Sequence, residues 1–154
     1  MRWPTVLLAA LLCAGCTTPP SPQSAADADI HKITPIPDPN APSGVYVPAD
    51  IEDCFRELDK MLSPRLKAQM KNNPKGDMIQ YHLGLGMWMR NNWGLWGDSR
   101  LRAYFTRRFV FEPDNMSGLI LDNYWNHLNG KPAEMPPPLS EGEYQRYKSL
   151  GLRF

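Results

Sequence analysis

A chain of 154 residues carrying 17 Lys+Arg against 16 Asp+Glu, with a formal net charge of +1, has room for one ordinary domain and a tail but hardly for two. Neither sign of charge forms a long run, so nucleic acid is excluded as a partner, because duplex binding needs a concentrated basic face.

The chain opens with Arg2, runs apolar from Val6 to Leu12 and reaches Leu12-Cys13-Ala14-Gly15-Cys16 before turning to Thr, Pro and Ser. A positive start and a short apolar run predict an export signal over residues 1–15, too short to stay as a membrane span. The segment resembles the lipobox of bacterial lipoproteins, in which small residues precede a cysteine that receives a diacylglycerol and becomes the new N-terminus. Ala14 and Gly15 fit that pattern, and Cys13 departs from the aliphatic residue usual at its position. The resemblance implies lipidation of Cys16 and a membrane anchor in the cell envelope. Thr17 is not the aspartate associated with inner-membrane retention, so the outer membrane, facing the periplasm, is the expected destination. Processing would remove Cys13 and occupy Cys16, leaving Cys54 as the one free thiol; neither a disulfide nor a Cys-based metal site can be built from it.

From Thr17 to Gly44 the composition is Pro, Ser, Ala and Asp with few large apolar side chains. Such a stretch cannot bury enough surface to fold, and residues 16–44 read as a lipidated cysteine and a disordered Pro-rich tether. Val45-Tyr46-Val47-Pro48 reads as an extended clip into a helical domain over residues 45–131. Ile51, Cys54, Phe55, Leu58, Met61 and Leu62 share one helix face, with Asp50, Glu52 and Asp53 at its first turn. Ser63-Pro64 predicts a cap and restart, with Leu66 and Met70 inward and Asn73-Pro74 as the stop.

A third helix is expected over about 77–91. Met78, Tyr81, Leu85 and Trp88 lie on one stripe while Ile79, Leu83 and Met87 occupy others, and a helix apolar nearly all round is normally the central one. Gly84 and Gly86 in its interior suggest that another backbone crosses close by. Asn91-Asn92 reads as a left-handed exit, Trp93-Gly94-Leu95-Trp96-Gly97 as an apolar turn, and Ser99 as cap of a fourth helix with Leu101, Tyr104 and Phe105 inward. Pro113-Asp114 opens a fifth helix with Ile120, Tyr124 and Leu128 inward, ended by Asn129-Gly130 as an αL cap. Residues 132–154 form a Pro-rich tail in which Ser140 and Glu143 have capping-box spacing, starting a short helix whose thin apolar face (Tyr144, Tyr147, Leu150) packs loosely. The expected fold class is all-α: a small bundle of about five helices plus that terminal one.

The block Tyr81-His82-Leu83-Gly84-Leu85-Gly86-Met87-Trp88-Met89-Arg90-Asn91-Asn92-Trp93-Gly94-Leu95-Trp96, with Cys54–Asp59, Asp114–Gly118 and Leu128–Gly130, resembles an uncharacterised bacterial domain of unknown function over about 45–130. That resemblance implies a small helical domain and carries over no activity, ligand or catalytic residue.

Six residues are the candidates for ligand or partner contact: Trp88, Arg90, Asn91, Asn92, Trp93 and Trp96. Flat apolar faces beside amide and guanidinium donors are the mixture that glycan-binding clefts use, and in an envelope the obvious glycan is peptidoglycan. Three tryptophans around a tight turn also read as a core plug, and buried Asn often caps backbone. A glycan hydrolase needs two carboxyls across the scissile bond. Asp98, Glu112 and Asp114 are nearest in sequence, and each also suits a helix start. His82 and His127 lack any metal-ligand spacing, His31 belongs to the tether, and no GxSxG or GxxxxGK motif occurs, so neither metal nor cofactor is expected. Arg100, Arg102, Arg107 and Arg108 form a basic cluster that reads as a solvated helix face or a contact to anionic headgroups. The expected function is a non-catalytic envelope lipoprotein presenting an interaction domain to an envelope protein; the alternative is a peptidoglycan-binding domain or weak glycan hydrolase using the Trp/Asn block.

Overall fold

In the computed structural model residues 44–151 are described; the expected export signal, Cys16 and all but the last residue of the expected Pro-rich tether lie outside them. Six α-helices and no strand are present among the described residues, so the domain is all-α. Helix α1 (Ile51–Met61) starts where the Asp50 carboxylate accepts from Asp53 N, and it buries Ile51, Cys54, Phe55 and Leu58 on the face their spacing predicts. Helix α2 (Pro64–Asn72) is capped by Ser63 Oγ accepting from Leu66 N, with proline in its first turn and Leu66 and Met70 inward. Burial pushes the Cys54 thiol well above its usual range, as expected of a structural cysteine.

The third predicted helix is helical from Lys75 to Asn92 but is wound three ways: a 3₁₀ stretch over Lys75–Tyr81, a π stretch over His82–Gly86, and α3 (Met87–Asn92). The tight and wide windings offset each other in twist, so Met78, Tyr81, Leu85 and Met89 all face the core. This run is not central. Ile79 and Leu83 are 71% and 68% exposed and Met87 is exposed with them, so its second apolar stripe faces water. The central element is α5 (Pro113–Leu128), which packs against α1, α2, all three windings and α4 (Arg100–Thr106).

Asn91 and Asn92 do not make the left-handed exit. Gly94 takes it, with φ +67 and Ser99 Cβ only 2.9 Å from where a side chain would begin. Asn92 instead donates to Trp88 O (2.8 Å). Gly130 provides the left-handed residue after α5, and Ser140 and Glu143 form the capping box of α6 (Glu141–Ser149). The segment before α6 lies against the domain: Ala133 and Met135 pack on the core, Asn123 accepts from Glu134 N, and Leu139 N donates to Arg107 O. Helix α6 buries no residue fully, in keeping with its thin apolar face; Tyr147 leans on the Phe109 ring and Arg107 on the Tyr144 ring.

Two carboxylates, buried Asp53 and half-buried Asp59, tie the two ends of α1 to their neighbours. Asp53 accepts from Tyr46 Oη (2.7 Å), Ala49 N (2.9 Å) and Arg56 (2.9 Å), clasping the incoming chain onto α1. Asp59 accepts from Tyr124 Oη (3.0 Å) and from His127 Nε2 (2.9 Å). For both, burial alone would raise the carboxyl, but these donors, with nearby Arg56 or Lys67, outweigh it and hold each below the ordinary 3.8. A carboxylate depressed in the folded state contributes stability that is full above its unfolded value and lost as pH falls through the folded one. The thermal midpoint is therefore expected to be level near neutrality and to fall as pH drops below about 4. Asp53→Asn should start lower and show a shallower acid decline in a calorimetric pH series.

Candidate functional site

The Trp/Asn block does not assemble as one surface. Trp93 is 1% exposed and packs edge-on against half-buried Trp88, ring centroids 5.8 Å apart. Of the three indoles in the block only Trp96 faces solvent, 60% exposed, its Nε1 donating to Oδ1 of exposed Asn91 (3.1 Å). Asn92 is engaged on backbone, as above. Trp93 is a core plug, and the tight turn through Gly94 is what drives it inward.

Arg90 has gone elsewhere. It projects from α3 into the bundle and is buried to 5%. Its Nη1 donates to Ser117 Oγ (2.8 Å) and pairs with Asp114 Oδ1 (3.2 Å), both on α5. His82, on the π stretch, places Nε2 3.1 Å from the same Asp114 oxygen and 3.4 Å from Arg90 Nη1. Gly86 makes this possible: a Cβ would lie 3.2 Å from the Arg90 guanidinium and 3.6 Å from Ser117 Oγ. The helical glycine answers a buried side chain where a crossing backbone was expected. A π turn inside a helix often accompanies a functional site, and here it sets His82 beside the first turn of α5.

That corner opens into a cleft of about 630 Å³ lined by Ile79 and His82, by Phe109, Val110 and Phe111, and by Glu112, Asp114, Asn115, Gly118, Leu119 and Asp122. Its walls are apolar and its rim is acidic. Glu112 and Asp114, two of the three carboxylates nearest the aromatic block in sequence, share it; Asp98 lies in a smaller cleft with Arg100, Arg102 and Tyr144. Asp122 is lifted above the ordinary carboxylate range by desolvation, with Lys75 pulling it down and Glu134 pushing it up. Phe109 adopts φ 61, a left-handed conformation that costs a non-glycine residue about 1 kcal/mol or more.

The basic cluster is spent within the domain. Arg100 donates to Val47 O and sits over the Tyr46 ring, Arg102 donates to Leu95 O, Arg107 pairs with Glu141, and Arg108 covers the Tyr104 ring. Among the described residues no group of three His, Cys, Asp or Glu side chains could hold a metal ion, and no helix is long and apolar enough to cross a membrane. One family model, described as a domain of unknown function (DUF6794), matches residues 47–128. No curated protein and no solved structure matches the chain.

Proposed function

We propose, for a chain that belongs to the DUF6794 family through more than half of its length, that it is a lipid-anchored envelope protein whose helical domain acts by contact with another protein and not by catalysis. The observation that carries the contact reading is the exposed stripe Ile79, Leu83 and Met87. These side chains recur every four residues along one helical run and continue into the cleft at Ile79. Contiguous exposed apolar surface on a soluble domain marks an interaction site. The anchor rests on Cys16 and its neighbours, and Thr17 favours the outer membrane.

Two measurements test this reading. In cells fed labelled palmitate the chain is expected to take up label and fractionate with the envelope, and Cys16→Ala to lose both. In crosslinking of the anchored chain, Ile79→Ser with Leu83→Ser should remove a specific higher-mass product while circular dichroism and thermal unfolding stay unchanged. Unlabelled protein would end the anchor reading, and a crosslink pattern indifferent to the stripe would end the contact reading.

Glycan binding has one observation in its favour, the Trp96 ring held open to solvent by Asn91. Sedimentation with purified sacculi that is lost in Trp96→Ala would support it.

A further inference from the structure

The acidic cleft supports a statement about what the partner presents. Three walls meet there: Ile79 from the 3₁₀ stretch, Phe109 to Phe111 from the linker between α4 and α5, and the outer face of α5. Phe109 is 52% exposed although its ring packs against both Phe111 and Tyr147, and a strained backbone holds it there. On α5, Asp114, Gly118 and Asp122 follow at four-residue steps on one face. A side chain built on Gly118 would meet nothing within 4 Å, so the helix is notched midway between two acids.

Charge in the cleft is unevenly answered. Asp114 is matched by Arg90 and His82. The Glu112 and Asp122 carboxylates form no ion pair or hydrogen bond among the described residues, and Lys75, whose charge pulls the Asp122 carboxyl down, makes its salt bridge to Glu134. The cleft thus offers two carboxylates, Glu112 and Asp122, that are bonded to no cation, beside exposed aromatic and aliphatic faces. Lysine and arginine suit such a surface, because their stems lie on apolar walls while the head reaches an acid or an aromatic face. Asp114 to Asp122 spans about 12 Å of helix, close to four residues of extended chain, with the Gly118 notch leaving room for backbone to approach.

We propose that this cleft docks an extended segment of a partner protein in which basic residues alternate with apolar ones. The proposal rests on the contact reading above and narrows it to a charge and a conformation. The full chain carrying Cys16→Ala is titrated into two fluorescein-labelled twelve-residue peptides, one alternating Lys with Leu and one alternating Glu with Leu. Anisotropy is followed at low and at physiological salt.

The Lys/Leu peptide is expected to bind and the Glu/Leu peptide to bind about tenfold more weakly or not at all, the difference shrinking with salt. Glu112→Gln with Asp122→Asn should weaken the Lys/Leu peptide about tenfold, the sum expected of two exposed charge contacts. Gly118→Leu, which fills the notch, should weaken it without lowering the thermal midpoint, since leucine is the better helix former. Equal binding of both peptides, lost in Ile79→Ser with Leu83→Ser, would overturn the charge assignment and leave the contact reading standing. Binding of neither, or Lys/Leu binding unaltered by all of these variants, would overturn the docking site itself, while the crosslinking result decides the contact reading separately.

Discussion

Trp93→Ala is expected to cost about 3–5 kcal/mol, the range for emptying a buried aromatic site, while Trp96→Ala should stay within about 0.5 kcal/mol, as surface changes usually do. The two residues sit three positions apart on the same turn, so the contrast isolates burial from composition. Trp93 is fully enclosed and in edge contact with Trp88. Gly94 fixes the chain direction beside it, so the neighbours have little freedom to close the void. A domain of this size has about 5–15 kcal/mol in total, and the Trp93 variant should unfold at much lower urea. Near-equal urea midpoints for the two variants would show that the turn does not hold the indole as described.

Arg90→Ala is expected to be the next most damaging change, at about 2–4 kcal/mol, mainly through the cavity left by the aliphatic stem and guanidinium. The full penalty of an orphaned buried charge does not apply, because Asp114 is 57% exposed and stays solvated. Arg90→Met keeps most of the volume and loses the Ser117 bond, so it should cost only about 1–2 kcal/mol. Arg90→Lys should fall nearer to Ala than to Met. The lysine stem is one atom shorter, so its ammonium stops short of the point where Nη1 meets both Ser117 Oγ and Asp114 Oδ1, and it brings a strongly hydrated charge into a buried site. Urea unfolding of the three variants gives the order, and Lys matching wild type would contradict the geometry.

Local signals in the sequence carry most of the helix map. Ser63, Ser99 and the Ser140/Glu143 pair all cap the helices they announce, because a cap depends on groups within three residues of itself. Side-chain fate across elements is less legible. Ile79, Leu83 and Met87 look like a second core face, yet α5 covers only one side of that run. Arg90 reads as a surface donor, and what buries it is Ser117 and Asp114, 27 and 24 positions away in the chain and joined to it only by the fold. The pair of helical glycines was the available clue: Gly86 leaves the space into which the guanidinium folds. The acidic cleft was missed for the same reason, since Glu112, Asp114 and Asp122 each satisfy a local reading and only packing brings Ile79 and Phe109 to face them.

The clasp at the entry to the domain has a mechanical consequence. Tyr46 is fastened to Asp53, and Arg100 grips both Val47 O and the Tyr46 ring. Tension arriving from the N-terminal side therefore meets buried Val45 and is then taken up by α1 and α4 together. A pull on the chain ahead of Tyr46 should open this lateral latch early, leaving the bundle and its acidic face assembled under loads that the latch itself does not survive.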